Sequence, residues 1–182
     1  YRTPLPSNGH TGVCVDVEAP ARLHLGFLDL NGGLGRQFGS IGLTIDSVAT
    51  HLRASRSNSF SASGPGAERA IACARAFAAA QGIAGGAHFD LDRTIPDHVG
   101  LGSGTQLSLA VGTALQRLYA QQHEVRAIAH TLRRGNRSGI GIAAFEEGGF
   151  MVDSGRGDED EVPPVTVRLP FPEHWRVLLI FD

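Results

Sequence analysis

Hydrophobic and polar positions alternate at the start of the chain. Over residues 12–18, Val13, Val15 and Val17 lie on one side and Cys14 and Asp16 on the other, the period of a half-buried strand. A second extended piece is expected over 21–28. There Arg22 and His24 share one face, while Leu23 and Leu25 point the other way, into a core. The glycine-rich stretch 29–39 reads as a loop, and 40–56 alternates again as one or two strands. Residues 57–66 read as a turn-rich connector. Residues 67–81 are nearly all good helix formers, and Gly82 stands where a terminating glycine belongs. Ala87, Phe89 and Leu91 mark a strand running into Pro96. A helix over 103–121 follows, with Leu107, Ala110, Val111, Ala114, Leu115 and Leu118 as its apolar face. Residues 124–134 predict a short helix ending at Gly135. Residues 139–155 read as two strands around a Gly148-Gly149 hairpin turn, and the closing 175–182 as a buried strand. This order predicts an α+β sandwich rather than a regular parallel βαβ series.

The chain has 182 residues, enough for one domain with a real core. Three units are expected: a lead over 1–12, a domain over 13–172, and the first strand of a further domain over 173–182. The chain opens at Tyr1 without Met and closes on that strand, so it reads as a piece of a longer protein. A net charge of −2 argues against nucleic acid as a partner. No apolar run approaches the roughly 18–20 residues of a membrane span. No signal peptide is apparent, and Cys14 and Cys73 lack metal or redox spacing, so the expected compartment is the cytoplasm with both thiols free. All 16 cationic residues are arginine. Any phosphate or carboxylate clamp must therefore use guanidinium groups or backbone N–H groups, and a kinase that relies on a catalytic lysine has none here.

The stretch 96–115, PDHVGLGSGTQLSLAVGTAL, carries the clearest chemistry. Ser103 and Gln106 have the spacing of a capping box. The loop therefore sits at a helix N-terminus, where unpaired N–H groups and the positive end of the helix dipole face an anion. Gly100, Leu101, Gly102, Ser103, Gly104, Thr105 and Gln106 are the candidate phosphate-binding residues. The loop lacks the Gly-Lys-Ser/Thr ending of a Walker loop, and its third glycine comes one position early for the dinucleotide fingerprint.

P-x-x-x-GLGSG before a helix resembles the phosphate-binding motif of the GHMP kinase superfamily. With ARLHLGFLDLNG and RRGNRSGIGIAAFEEGGFMVDSG, the match is closer to the β-ribofuranosylaminobenzene 5′-phosphate synthase family, whose members are not kinases. The resemblance runs from residue 13 to about 182. It departs from ordinary superfamily members, which carry Ser-Ser-Ala where this loop has Ser-Gly-Thr-Gln. It implies a two-layer α+β N-terminal domain of the ribosomal protein S5 domain 2-like type, with a ferredoxin-like domain after it. It also implies a homodimer, Mg²⁺ as helper ion and no organic cofactor. The implied reaction condenses phosphoribosyl pyrophosphate with 4-aminobenzoate or 4-hydroxybenzoate, loses CO2 and pyrophosphate, and serves methanopterin biosynthesis.

Under that resemblance Arg22, His24 and Asp29 are the candidate catalytic residues. Arg22 could pair with a carboxylate or phosphate, or form a surface ion pair. His24 could orient a ribose hydroxyl, act as acid or base, or be structural. Asp29 is a candidate Mg²⁺ ligand or base, or else a turn cap. Asn31, Arg36, Arg137 and Ser138 are candidate substrate contacts, the last two in an anion-friendly concavity between glycines. Arg133 and Arg134 are attributed to a helix dipole, Glu146 to an exposed strand position, and His88, His98 and His130 to structural roles. Two other readings are an ATP-dependent small-molecule kinase of the same superfamily and a non-catalytic phosphate-binding fragment.

Overall fold

The computed structural model describes residues 13–33, 35–157 and 162–181. The lead 1–12, residue 34, residues 158–161 and residue 182 fall outside them. One sheet carries β1 (Cys14–Asp29), β2 (Phe38–Ser57), β3 (Ser61–Ser63), β4 (Gly86–Arg93), β5 (Phe150–Asp153) and β6 (Val165–Leu169). The helices are α1 (Ala67–Gln81), α2 (Ser103–Leu118), α3 (Val125–Thr131) and α4 (Ile140–Glu146). The strand order is β3-β4-β2-β5-β6, and β1 pairs antiparallel with β2. The lower half of β2 lies between β1 and β5 and its upper half between β1 and β4. Only β3 runs parallel to its neighbour, β4. The expected α+β architecture is what forms.

The main core joins Val15, Val17, Leu52, Phe89 and Leu91 of the sheet to Phe77, Leu109, Leu115 and Phe145 of the helices. Fully burying each of these large side chains is worth about 1.5–3 kcal/mol. The predicted apolar face of α2 is buried throughout, and Leu109, Gly112 and Thr113 are buried as well, so α2 is the central helix. Gly112 permits the approach of α3, since a Cβ there would lie 2.3 Å from Ile128 Cγ2.

Several expectations need correction. The two early strands are one strand, broken in register at Pro20/Ala21 and again at His24/Gly26. Val15, Val17 and Ala19 join the main core, but Ala21 and Leu23 join a second one with Leu43, Ile45, Ile95 and Leu101. Leu25 is not in a core. It has no partner in the β2 register and is 56% exposed. The connector 57–66 contains β3. The hairpin over 139–155 does not form: 140–146 is helical, and Gly148 and Gly149 link that helix to β5. Ile140 to Phe145 are all buried, so no polar face was left to reveal a helical period. Glu146 accordingly sits half-buried at the end of α4, where loss of hydration raises its pKa. The buried strand expected at 175–182 does not form among the described residues, 175–181. Leu178 and Ile180 are 83% and 85% exposed, because no neighbouring strand among the described residues offers them a ladder. Phe171 and Leu179 do pack on the second core.

A single carboxylate ties the lower half of the sheet to α4. Asp153 is fully buried at the end of β5. It accepts hydrogen bonds from Ser40 N (3.0 Å), Ser40 Oγ (2.8 Å), Gly139 N (2.9 Å), Gly155 N (2.9 Å) and Ser138 Oγ (3.2 Å). Replacing Asp153 by Ala strands these donors in a dry interior, so stability should fall by at least about 3 kcal/mol in urea denaturation. A loss below about 1 kcal/mol, within the range of ordinary substitutions, would show that the network does not hold this region together.

Candidate functional site

The loop before α2 runs along the outer edge of β1. Arg22 N donates to Leu101 O at 3.1 Å, and Arg22 Nη1 donates to Gly100 O at 2.7 Å. Leu101 points inward and is 2% exposed, which anchors the loop in the second core. Gly100 and Gly102 have φ values of 78° and 86°, a conformation that side chains disfavour. Gly102 has a second constraint: a Cβ there would lie 3.1 Å from Arg22 Cζ. The glycine therefore lets the guanidinium lie against the start of α2.

The capping box does not form. The residue before the helix is Gly102, with no side-chain cap, and Ser103 is the first helical residue. Ser103 and Arg69 instead bond Asp97, and these two contacts, Arg69 foremost, hold its carboxyl below the usual range. Gln106 is fully buried and donates through Nε2 to Gly141 O at 2.7 Å, joining α2 to α4. Thr105 packs on the same glycine.

Two arginines outside the expected site flank the first turn of α2. A Cβ on Gly104 would lie 3.5 Å from Arg69 Nη2 and 3.7 Å from Arg134 Nη1. Arg134 also donates through Nε to Ser108 Oγ at 3.1 Å, so it serves the N-terminus of α2 rather than the dipole of its own helix. Arg22, Arg69 and Arg134 thus surround one helix start. Nothing in their spacing announces this, because tertiary packing brings them together. The turn can hold a multiply charged anion through N–H groups and three guanidinium groups at once.

The other candidates divide. His24 lies within electrostatic reach of Arg22 and Asp153. Burial and then the Arg22 charge push its pKa below the ordinary 6.5, against the opposing pull of Asp153. His24 Nε2 and Arg22 Nε are buried without a hydrogen-bond partner. Asp29 Oδ1 accepts from Asn31 N at 3.1 Å and Gly32 N at 3.0 Å, and Asn31 Oδ1 accepts from Gly33 N at 2.9 Å. Both act as turn caps. Arg36 clamps the same loop to the end of β5, donating to Ser154 O at 3.0 Å and Gly155 O at 2.9 Å. The Ser138 concavity is filled by the chain's own Asp153. Arg137 is exposed, and no hydrogen bond or ion pair engages it among the described residues. His88 bonds Ser61 on the sheet, as a structural histidine would.

No group of three His, Cys, Asp or Glu suited to a metal occurs among the described residues. Asp29, Asp97 and Asp153 are each engaged by donors of the chain. The described residues therefore offer no preformed all-protein cage for Mg²⁺. No helix among the described residues is long and apolar enough to cross a membrane.

Residues 68–149 match the family model of the GHMP kinases N terminal domain. The fold is of the GHMP kinase N-terminal type. Over 175 residues it is 36% identical to a beta-ribofuranosylphenol 5′-phosphate synthase of Archaeoglobus fulgidus. Over 185 residues it is 35% identical to the protein of that name from Methanothermobacter thermautotrophicus. Each match covers 90% of this chain and 56% of the relative, so the chain spans a little over half the length of these curated relatives. The crystal structure of a 4-(cytidine 5′-diphospho)-2C-methyl-D-erythritol kinase is similar with a TM-score of 0.61 and 25% identity, over 86% of this chain and 56% of that one. The resemblance read from the motifs is borne out over 90% of the chain.

Two glycines separate strain from occupancy. Gly102→Ala should lose about 1 kcal/mol of stability and bind pyrophosphate more weakly. Gly104→Ala has ordinary contacts and should melt as the parent does, yet bind pyrophosphate several-fold more weakly in calorimetry, because its methyl sits between Arg69 and Arg134. Unchanged binding in Gly104→Ala would move the anion elsewhere. His24 adds a pH effect. Its folded pKa lies below the unfolded 6.5, so its contribution is present above that value and lost as pH falls through the folded one. Between about pH 7.5 and about pH 5 the parent should lose more melting temperature than His24→Gln. Parallel curves would exclude His24 as the titrating group.

Proposed function

We propose that the protein containing this chain condenses phosphoribosyl pyrophosphate with 4-hydroxybenzoate and releases CO2 and pyrophosphate. The observation that carries the reading is the lysine-free anion cradle, in which Arg22, Arg69 and Arg134 meet the first turn of α2. The names of the two relatives end in a ribofuranosylphenol phosphate. That product follows from the hydroxy acid and not from the amino acid, which favours 4-hydroxybenzoate of the two benzoates.

The chemistry suits such a site. The bond from ribose C1 to pyrophosphate breaks, and negative charge grows on the leaving group as C1 becomes cationic. Fixed N–H groups and guanidinium groups stabilise that charge without reorganising. The ring carbon bearing the carboxylate then bonds to C1, and loss of CO2 restores the aromatic ring. No strong base is required, so the work is positioning and electrostatics. His24, held neutral by burial, orients a ribose hydroxyl or the acid. Arg22 spans the cradle and the strand that carries His24.

A small-molecule kinase is the second reading, favoured by the kinase neighbour. One assay separates them. Carboxyl-labelled 4-hydroxybenzoate is mixed with phosphoribosyl pyrophosphate, with and without Mg²⁺ and without ATP, and released CO2 is counted. Release that depends on phosphoribosyl pyrophosphate is expected, and Arg22→Ala should lower kcat/KM about a hundredfold. No release, with ATP consumed in the presence of an alcohol, would replace the synthase with a kinase. Binding of pyrophosphate with neither reaction would leave a non-catalytic module.

A further inference from the structure

The face that β1 turns toward the cradle continues past it, and the continuation is aromatic. Leu25 bulges out of register, and this re-phases the strand so that Phe27 follows His24 on the same side. Their ring centroids are 4.6 Å apart, with planes tilted by 59°. Phe27 in turn meets Phe38 at 5.4 Å and 53°. Phe38 opens β2 with φ at 75°, a backbone conformation rarely tolerated by a bulky residue. Held strain of this kind is a feature of ligand-binding segments.

The row is not closed off as a core would be. Phe27 remains 41% exposed. The inner end of the row is polar. His24 Nε2 and Arg22 Nε are buried and unpaired, and native proteins pair nearly all such atoms. These atoms call for a partner from outside the chain. A flat ring carrying an acidic group at one end matches both ends of the row: the acid meets His24 and Arg22, and the ring meets Phe27 in the tilted or offset contacts that aromatic pairs favour.

We propose that His24, Phe27 and Phe38 form the platform for a planar aromatic acid, with its carboxylate end toward His24 Nε2 and its ring on Phe27. The proposal rests on the synthase reading for the identity of the acid. It sets the acid's carboxyl-bearing carbon beside the cradle, where ribose C1 of a bound pyrophosphate ester would lie.

The probe is 4-hydroxybenzoate, titrated by calorimetry and by saturation-transfer NMR in the presence of pyrophosphate. Phe27→Ala should weaken its binding about tenfold, the worth of one aromatic contact. Pyrophosphate binding should stay as in the parent, and Phe27→Trp should restore the acid. An exposed ring can be truncated without unfolding, which a melting curve checks. If Phe27→Ala binds the acid as the parent does, or loses pyrophosphate to the same degree, the platform is wrong. If the parent binds no 4-hydroxybenzoate, it is also wrong. Parent protein that binds the acid through Phe27 yet releases no CO2 would sink the synthase reading and leave the platform standing. Product formation with an unchanged KM for the acid in Phe27→Ala would do the reverse.

Discussion

Asp153 is a charge taken out of water, and the lower half of the molecule is arranged around meeting its needs. An unpaired carboxylate in a dry interior would be intolerable, whereas one with several good donors is not. Its donors come from the middle strand, the start of α4 and the turn after β5. Each is a backbone or short side-chain group with little freedom of its own, so the carboxylate fixes three segments relative to one another. Arg36 reinforces the same junction from the glycine-rich loop by binding the carbonyls of Ser154 and Gly155. With α4 fixed, Gly141 presents its carbonyl to Gln106, and that bond sets where the first turn of α2 sits. The anion cradle is therefore positioned by a chain of polar contacts that begins at an internal anion.

The two irregularities in β1 complete the placement. A strand of perfect alternation would keep one set of side chains in one core from end to end. The register break at Pro20/Ala21 moves the odd-numbered residues to a second core, and Arg22 is left against the glycine loop. The bulge at Leu25 then brings Phe27 beside His24. One strand thus lays out a guanidinium, an imidazole and an aromatic ring in order, where a regular ladder would have scattered them. Bulges that re-aim side chains in this way belong to functional edges of sheets.

How much of this was legible in the sequence follows from which forces are local. The helix at 67–81 and its terminating Gly82 were readable, because propensity and a left-handed cap act within one turn. The glycine loop before α2 was readable for the same reason, and so was the shared face of Arg22 and His24. The helix at 140–146 was hidden because burial on every side erased its period. Gln106 looked like a capping partner, since the four-residue pattern is the same whether the side chain turns back or reaches across to Gly141. Ser138 and Arg36 looked like ligand contacts, but their partners lie beyond the reach of any local pattern. Arg69 and Arg134 carry no spacing relation to the loop at all, and only the packing of α1 and α3 on α2 brings them to it.

The absence of lysine gives these arginines a particular consequence. A lysine is a compact, strongly hydrated point charge, while a guanidinium is a planar fork whose several N–H groups can serve different partners together. Arg22 uses this: one N–H group holds Gly100 O while the plane lies against Gly102. Arg134 does the same with Ser108 while its other nitrogen reaches Gly104. Arg69 is committed differently, to Asp97, whose carboxylate also takes Ser103. That exposed pair is weak in water and screened by salt. A phosphate arriving at the helix start offers Arg69 and Ser103 a stronger, doubly charged partner at the positive end of a dipole. Asp97 is thus an internal anion standing beside the place of an external one. Exchange between them would leave in place the backbone that Leu101 anchors.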